Sequence, residues 1–136
     1  MKCCKRVELP EIVDPRGGLM FAEDDRHIPF AIKRIFAIYD VPAAGRRGGH
    51  AHRQQHQFII MLNGASSVTV DEGHGTEMVR LERPTEGLYV PPMVWLELGD
   101  FTPGTVCLVL TSAHFDEADY IRDPTEFHRS LRKGRN

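Results

Sequence analysis

The stretch GRRGGHAHRQQHQFIIMLNG, residues 45–64, decides how this chain is read. His50 and His52 stand one residue apart, and on a strand such side chains project to the same face. HAH begins a strand. QFIIMLNG continues it to a turn at Asn63-Gly64, a turn-forming pair. A polar, histidine-bearing segment thus runs directly into a strongly apolar one.

Working outward, short apolar runs alternate with turn residues at fairly even intervals. VELPEIVD reads as a first extended piece that Pro10 keeps at an edge or bulge. DPRG, residues 14–17, is a turn with proline at its second position. GLMFAED and FAIKRIFAIYDV follow as strands. In the second, Phe30, Ile32, Arg34, Phe36 and Ile38 share one face, while Ala31, Lys33, Ile35, Ala37 and Tyr39 share the other. Arg34 therefore lies among apolar neighbours, where an arginine requires a partner or an anion.

ASSVTVDEGHGTEMVRLE is a hairpin turning near DEGHG. EGLYVPPMVWLEL is a strand pair or bent strand interrupted at Pro91-Pro92, and TVCLVLTS is a further apolar strand. Only the end changes character. Asp123 before Pro124 predicts a short helix through TEFHRSLRK, and its basic end (Arg129, Arg132, Lys133 and Arg135) suits a helix C-terminus. Many short strands with one terminal helix predict an all-β jelly roll with a cavity open at one end.

The chain of 136 residues forms one domain, 1–136. Hydrophobic residues make up 41% and charged residues 26%, the balance of an ordinary globular domain. A net charge of −2 argues against a nucleic-acid binder but leaves room for a small anion held by a few arginines. The three cysteines, Cys3, Cys4 and Cys107, show no CxxC spacing and point to a reducing, cytoplasmic setting. No run is long and apolar enough for a signal peptide or a membrane span.

Metal-binding jelly rolls of the cupin type carry His-x-His, then a Glu three or four residues on, with a third His from a later strand. Here Gln57 stands near the carboxylate position and Leu96 near the third imidazole, with Glu97 facing away. Two imidazoles, an amide and a leucine make a poor metal site. No metal or other cofactor is expected. The pair is left either to line a pocket passively or to act as acid and base near neutral pH.

DPRGGLMFAE, IPFAIKRIFAIYDVPA, RRGGHAH, LNG, EGLYVPPMVWLEL and DEADYIRD occur in that order over residues 7–128. Together they closely resemble the nucleotide-sugar 3,4-ketoisomerases of the WxcM-like cupin family. The resemblance implies a cupin-like double-stranded β-helix and a metal-independent isomerase. Its substrate would be dTDP-4-keto-6-deoxyglucose, on routes to 3-amino-3,6-dideoxyhexoses. It also implies a homodimer, with N-terminal strands exchanged in many members.

The family's catalytic positions fall on His50, His52 and Arg47. His52 is expected to take the C3 proton, His50 to assist, and Arg47 to hold the enediolate or the diphosphate. Arg16 and Arg34 are phosphate candidates, Tyr39 and Gln57 candidate sugar contacts, Trp95 a candidate thymine platform, and Glu97 a candidate acceptor for base or sugar. Where relatives carry a pair of tyrosines, this chain has Phe36 and Ala37, with Tyr39 a possible substitute. His56 adds a third imidazole that would reopen metal binding if it joined the pair.

Three rival readings remain. A 3,5-epimerase uses a His base supported by a carboxylate and opposed by a tyrosine acid, and no carboxylate is placed in sequence to support His50 or His52. The others are a non-catalytic sugar-nucleotide binder and a metal-dependent cupin.

Overall fold

The computed structural model describes residues 1–134, so Arg135 of the predicted basic helix end lies outside the described residues. Two five-stranded antiparallel sheets face each other. The first has the order β1 (Lys5–Glu8), β9 (Glu86–Val90), β6 (Gln57–Asn63), β11 (Val106–Thr111), β4 (Arg34–Tyr39). The second has the order β12 (Tyr120–Ile121), β5 (Arg47–His52), β10 (Trp95–Gly99), β7 (Ser66–Asp71), β8 (Thr76–Leu81). A separate hairpin joins β2 (Glu11–Asp14) to β3 (Gly17–Met20). This is the jelly roll that the strand pattern predicts.

Period-two alternation sets the layers. Ile38, Ile59, Met61, Val68, Leu96, Cys107 and Val109 point between the sheets and form the main core. Phe58, Ile60 and Leu110 point to the opposite face of the first sheet, where Leu9, Ile28 and Phe30 of the N-terminal segment cover them. Ala51 and Ile121 point out of the second sheet against Phe127 of α1 (Pro124–Lys133). That helix begins as predicted, with the Asp123 side chain accepting from Thr125 N and Pro124 in the first turn.

Two connections differ from the linear reading. HAH and QFIIMLNG are not one strand: β5 belongs to the second sheet and β6 to the first, and residues 53–56 carry the chain across. Pro91-Pro92 does the same between β9 and β10, with Met93 in the left-handed region at φ 63°. Prolines donate no ladder hydrogen bond, so the chain leaves one sheet there and enters the other. Each crossing brings side chains from both sheets to one end of the sandwich.

The first residues are tied down by a carboxylate. Glu72 accepts from the amides of Lys2, Cys3 and Cys4 at 2.8, 2.8 and 2.6 Å. These bonds hold its carboxyl down to about 2 and fix the start of edge strand β1.

Candidate active site

A cavity of about 440 Å³ lies between the two sheets along β4 and β5. β4 contributes Arg34 and Phe36, β6 contributes Gln57, β10 contributes Leu96, and β5 contributes Arg47 and His50. Phe115, Tyr120 and Arg122 close one side from the C-terminal segment. Arg34, Phe36, Gln57, Leu96 and His50 follow the period-two alternation of their strands, and the register shift between β5 and β10 turns Arg47 to the same side, opposite Leu98.

The two imidazoles meet edge to face, with ring centroids 5.0 Å apart. Tyr120 packs over both, at 4.9 Å from His50 and 4.3 Å from His52. Their environments differ. His50 lines the cavity, and its buried Nδ1 has no hydrogen-bond partner. Burial, reinforced by the positive character of His52 and Arg122, pushes its pKa down to about 4. His50 is therefore neutral, and able to accept a proton, throughout the neutral range.

His52 is only 4% exposed and lies behind His50. Its Nδ1 is 3.1 Å from Asp119 Oδ2. A carboxylate can only accept, so Nδ1 carries the proton and Nε2 is left to accept, 3.3 Å from the Gln55 amide nitrogen. Burial lowers the His52 pKa while Asp119 opposes the shift. Asp119 also receives Gln54 N at 2.7 Å on Oδ1 and Gln55 N at 3.1 Å on Oδ2, and its carbonyl receives Arg53 N at 2.9 Å. One aspartate thus organises both the crossing turn and the inner histidine.

Charge is graded along the cavity. Arg46, Arg47 and Arg122 are exposed at the rim. Arg46 lies 3.8 Å from Glu97, and Arg122 is held by both oxygens of Glu117 at 2.7 and 3.0 Å while its guanidinium covers the Tyr120 ring. Arg34 sits deeper, its guanidinium 5.2 Å from the Phe36 ring centre and 5.6 Å from that of Phe115. A rim of guanidinium groups above an apolar chamber ending in imidazole suits an anionic handle on a neutral reacting group.

The chain matches the WxcM-like, C-terminal family (FdtA) over residues 2–132. It belongs to that family. This WxcM-like protein is 40% identical over 129 residues to a TDP-4-oxo-6-deoxy-alpha-D-glucose-3,4-oxoisomerase of Aneurinibacillus thermoaerophilus, covering 95% of this chain and 93% of the relative. The sugar 3,4-ketoisomerase QdtA of Thermoanaerobacterium thermosaccharolyticum, solved with TDP, is 37% identical with a TM-score of 0.93 over 96% of each chain. A histidine-to-asparagine variant of QdtA, solved with TDP-4-keto-6-deoxyglucose, is 35% identical with a TM-score of 0.94, covering 98% of this chain and 96% of that one.

Of the residues singled out in the sequence, His50, Arg47, Arg34 and Gln57 line the cavity of this WxcM-like protein, with His52 directly behind. Four others lie elsewhere. Arg16 is at the tip of the β2–β3 hairpin, paired with Asp14 at 2.7 Å and pointing into solvent. Tyr39 is 65% exposed on the outer face of β4, where strand parity puts it with Ile35 and Ala37, so it does not stand in for a missing cavity hydroxyl. Trp95 and Glu97 alternate with the inward Leu96 and Leu98 and so face out of the second sheet. Trp95 packs on Phe127 of α1 at 5.8 Å, and its indole nitrogen donates to Glu97 at 3.3 Å.

His56 does not join the histidine pair. It lies on the other side of the first sheet, its Nδ1 2.6 Å from the Tyr89 hydroxyl and its ring beside Phe30. Leu96 pairs in register with His50, and among the described residues no three His, Cys, Asp or Glu side chains converge.

Asp119, Tyr120, Arg122 and Gln55 were missed. The reading that no carboxylate supports the histidines is corrected by Asp119, which is remote in sequence but adjacent once β12 pairs with β5, placing Tyr120 opposite His52. The one available signal was DEADYIRD itself, an acidic and aromatic cluster beside the predicted helix cap.

Proposed function

We propose that this protein is a nucleotide-sugar 3,4-ketoisomerase that moves the keto group of TDP-4-keto-6-deoxyglucose from C4 to C3, in the service of 3-amino-3,6-dideoxyhexose synthesis. The observation that carries the reading is the cavity-lining His50, neutral down to about pH 4, beneath a rim of arginines. Near-complete coverage of a 40% identical 3,4-oxoisomerase supports the same reaction.

His50 takes the C3 proton. Its electron pair forms the C3=C4 bond, and the C4 carbonyl pair moves onto O4. The O3 proton passes to O4, O3 becomes the new carbonyl, and His50 returns its proton to C4. The roles expected of the two histidines are thereby reversed. Both ring nitrogens of His52 are engaged, by Asp119 and Gln55, so it orients and stabilises while His50 transfers. Arg47, for which no ion pair is found among the described residues, binds the diphosphate at the rim, and Gln57 meets the sugar. No metal is written into this scheme: Leu96 stands opposite His50, and the oxygens of Asp119 are taken by His52, Gln54 and Gln55.

A second reading has a specific observation behind it. A carboxylate-supported histidine beside a tyrosine is the equipment of a 3,5-epimerase, and His52–Asp119 with Tyr120 supplies it. Proton NMR of TDP-4-keto-6-deoxyglucose incubated with enzyme in deuterated buffer containing a chelator separates the two. Label at C4 with a new 3-keto sugar is the expected result. Label at C3 or C5 without keto transfer identifies an epimerase, and no exchange identifies a binder. His50→Asn abolishes the exchange if the assignment is right.

The proposal includes a cytoplasmic homodimer with exchanged N-terminal strands. All three cysteines are free. On the β2–β3 hairpin Ile12, Val13 and Leu19 are 58%, 69% and 56% exposed, and β4 leaves one edge unpaired with Ile35 exposed beside it. An open edge and an apolar hairpin without a partner sheet are complementary surfaces for a second copy. Sedimentation is expected to give a dimer, and Val13→Asp is expected to weaken it.

A further inference from the structure

Two buried side-chain polar atoms lack a hydrogen-bond partner among the described residues: His50 Nδ1 and Arg34 Nη2. Both belong to side chains lining the same cavity. An unsatisfied buried donor on a guanidinium is costly, and such groups are retained where something else completes them. Arg34 is also firmly placed. Its Nε is 3.5 Å from Thr111 Oγ1, on a threonine with no exposed surface, and the rings of Phe36 and Phe115 flank its charge. One edge of the fork is thus anchored to protein, and the other has no protein partner.

Its depth separates it from the other arginines. Arg46, Arg47 and Arg122 are exposed at the rim, whereas Arg34 is half-buried on the inward face of β4. Across β11 it stands in register with Thr111 and Gln57, at the end of the first sheet where residues 53–56 arrive from His52. A diphosphate is bulky, doubly charged and well hydrated, and it suits the rim. A single oxygen that gains charge only during reaction suits a half-buried guanidinium lining the same cavity as the base.

We propose that Arg34 is a catalytic residue whose guanidinium stabilises the enediolate oxygen formed as His50 removes the C3 proton, rather than a phosphate ligand. The inference rests on the ketoisomerase reading above. As the C3–H pair enters the C3=C4 bond, negative charge collects on O4 and then is shared with O3 as the proton moves between them. Arg34 supplies fixed positive charge to these oxygens without itself exchanging a proton, since a guanidinium stays protonated throughout. The aromatic rings of Phe36 and Phe115 place apolar surface beside that charge.

The test measures turnover, solvent exchange and TDP binding on the same variants. Arg34→Gln is expected to lower kcat about 100- to 1,000-fold and to slow deuterium incorporation in parallel, while the calorimetric Kd for TDP stays within about threefold. Arg34→Lys, which keeps the charge but loses the fork, is expected to recover part of the rate. Arg47→Gln is expected to do the opposite, raising the TDP Kd and KM with a smaller effect on kcat. If Arg34→Gln fails to fold, as judged by its melting curve, Arg34→Lys carries the same three readouts. A TDP Kd raised tenfold with kcat nearly intact in the Arg34 variants makes Arg34 a phosphate ligand and overturns the proposal. Should wild-type enzyme fail to isomerise, or His50→Asn retain exchange, the underlying reading fails and this role falls with it. An active wild type with an unimpaired Arg34→Gln sinks the role of Arg34 alone.

Discussion

Asp119 Oδ2 lies 3.1 Å from His52 Nδ1 and 3.1 Å from the amide nitrogen of Gln55, so one carboxylate oxygen sets both the inner imidazole and the turn that follows it. Coupling of this kind makes the orientation of the histidine pair depend on the chain segment after β11. Asp119→Asn keeps a side chain of the same size but replaces one accepting oxygen with a donor. His52 then loses its enforced tautomer, and kcat is expected to fall about 10- to 100-fold with KM little changed. Because Asp119 supports the protonated form of His52, the His52 pKa drops further in the variant, which an NMR titration of the ring resolves. An unchanged kcat and an unchanged titration contradict this role.

The pH dependence has a definite sign. His50 in the folded protein titrates at about 4, against 6.5 for an unperturbed imidazole. The kcat/KM profile is therefore expected to stay flat from pH 8 to 6 and to lose its acid limb only well below the usual histidine range. Between 6.5 and about 4 the unfolded chain binds a proton at His50 that the folded chain refuses. Stability from this group accordingly declines as pH falls through that window and levels off below it. Melting curves over the window, compared with those of His50→Asn, check the stability; an NMR titration of the His50 ring with its midpoint at 6.5 would falsify the pKa assignment.

Gly48 occupies the left-handed region at φ +85°, at the register shift between β5 and β10, and a Cβ there would lie 2.7 Å from the Leu96 carbonyl oxygen. Gly48→Ala is expected to cost about 2 kcal/mol from backbone strain and crowding. It should lower the melting temperature by about 7 °C. Since Gly48 adjoins Arg47, KM should rise several-fold as well, which steady-state kinetics at a temperature below the melt can read.

Trp95 faces the helix and not the cavity. Trp95→Ala is expected to loosen α1 and to cost about 2 kcal/mol, less than a fully buried tryptophan because the ring is partly exposed. TDP affinity should remain within about threefold by calorimetry. A large loss of TDP affinity with the helix still docked would restore Trp95 as a nucleotide platform.

Much of this protein was legible along the chain. Period-two alternation is a local property, so the inward set of β4, with Arg34, Phe36 and Ile38, and the common face of His50 and His52 followed from spacing alone. The same rule assigns Glu97 to the face opposite Leu96. Turn chemistry placed Pro15, Asn63-Gly64 and the Asp123-Pro124 helix start, because each acts through its own backbone angles or its nearest amides.

Tertiary structure decided what depends on which segments meet. HAH and QFIIMLNG look continuous, yet they enter different sheets, and only that crossing closes the cavity. Asp119 is 67 residues from His52, and no pattern within either segment announces their contact. Identical-looking imidazoles became a cavity-lining ring and a ring anchored to Asp119 and Gln55 through burial and partners, which are properties of the assembled space. Sequence alone thus determined strands, faces and the chemical inventory, since these arise from neighbouring backbone geometry. The packing of remote strands determined which histidine lines the cavity and which arginine lies half-buried within it, because proximity and desolvation exist only once the sheets have closed.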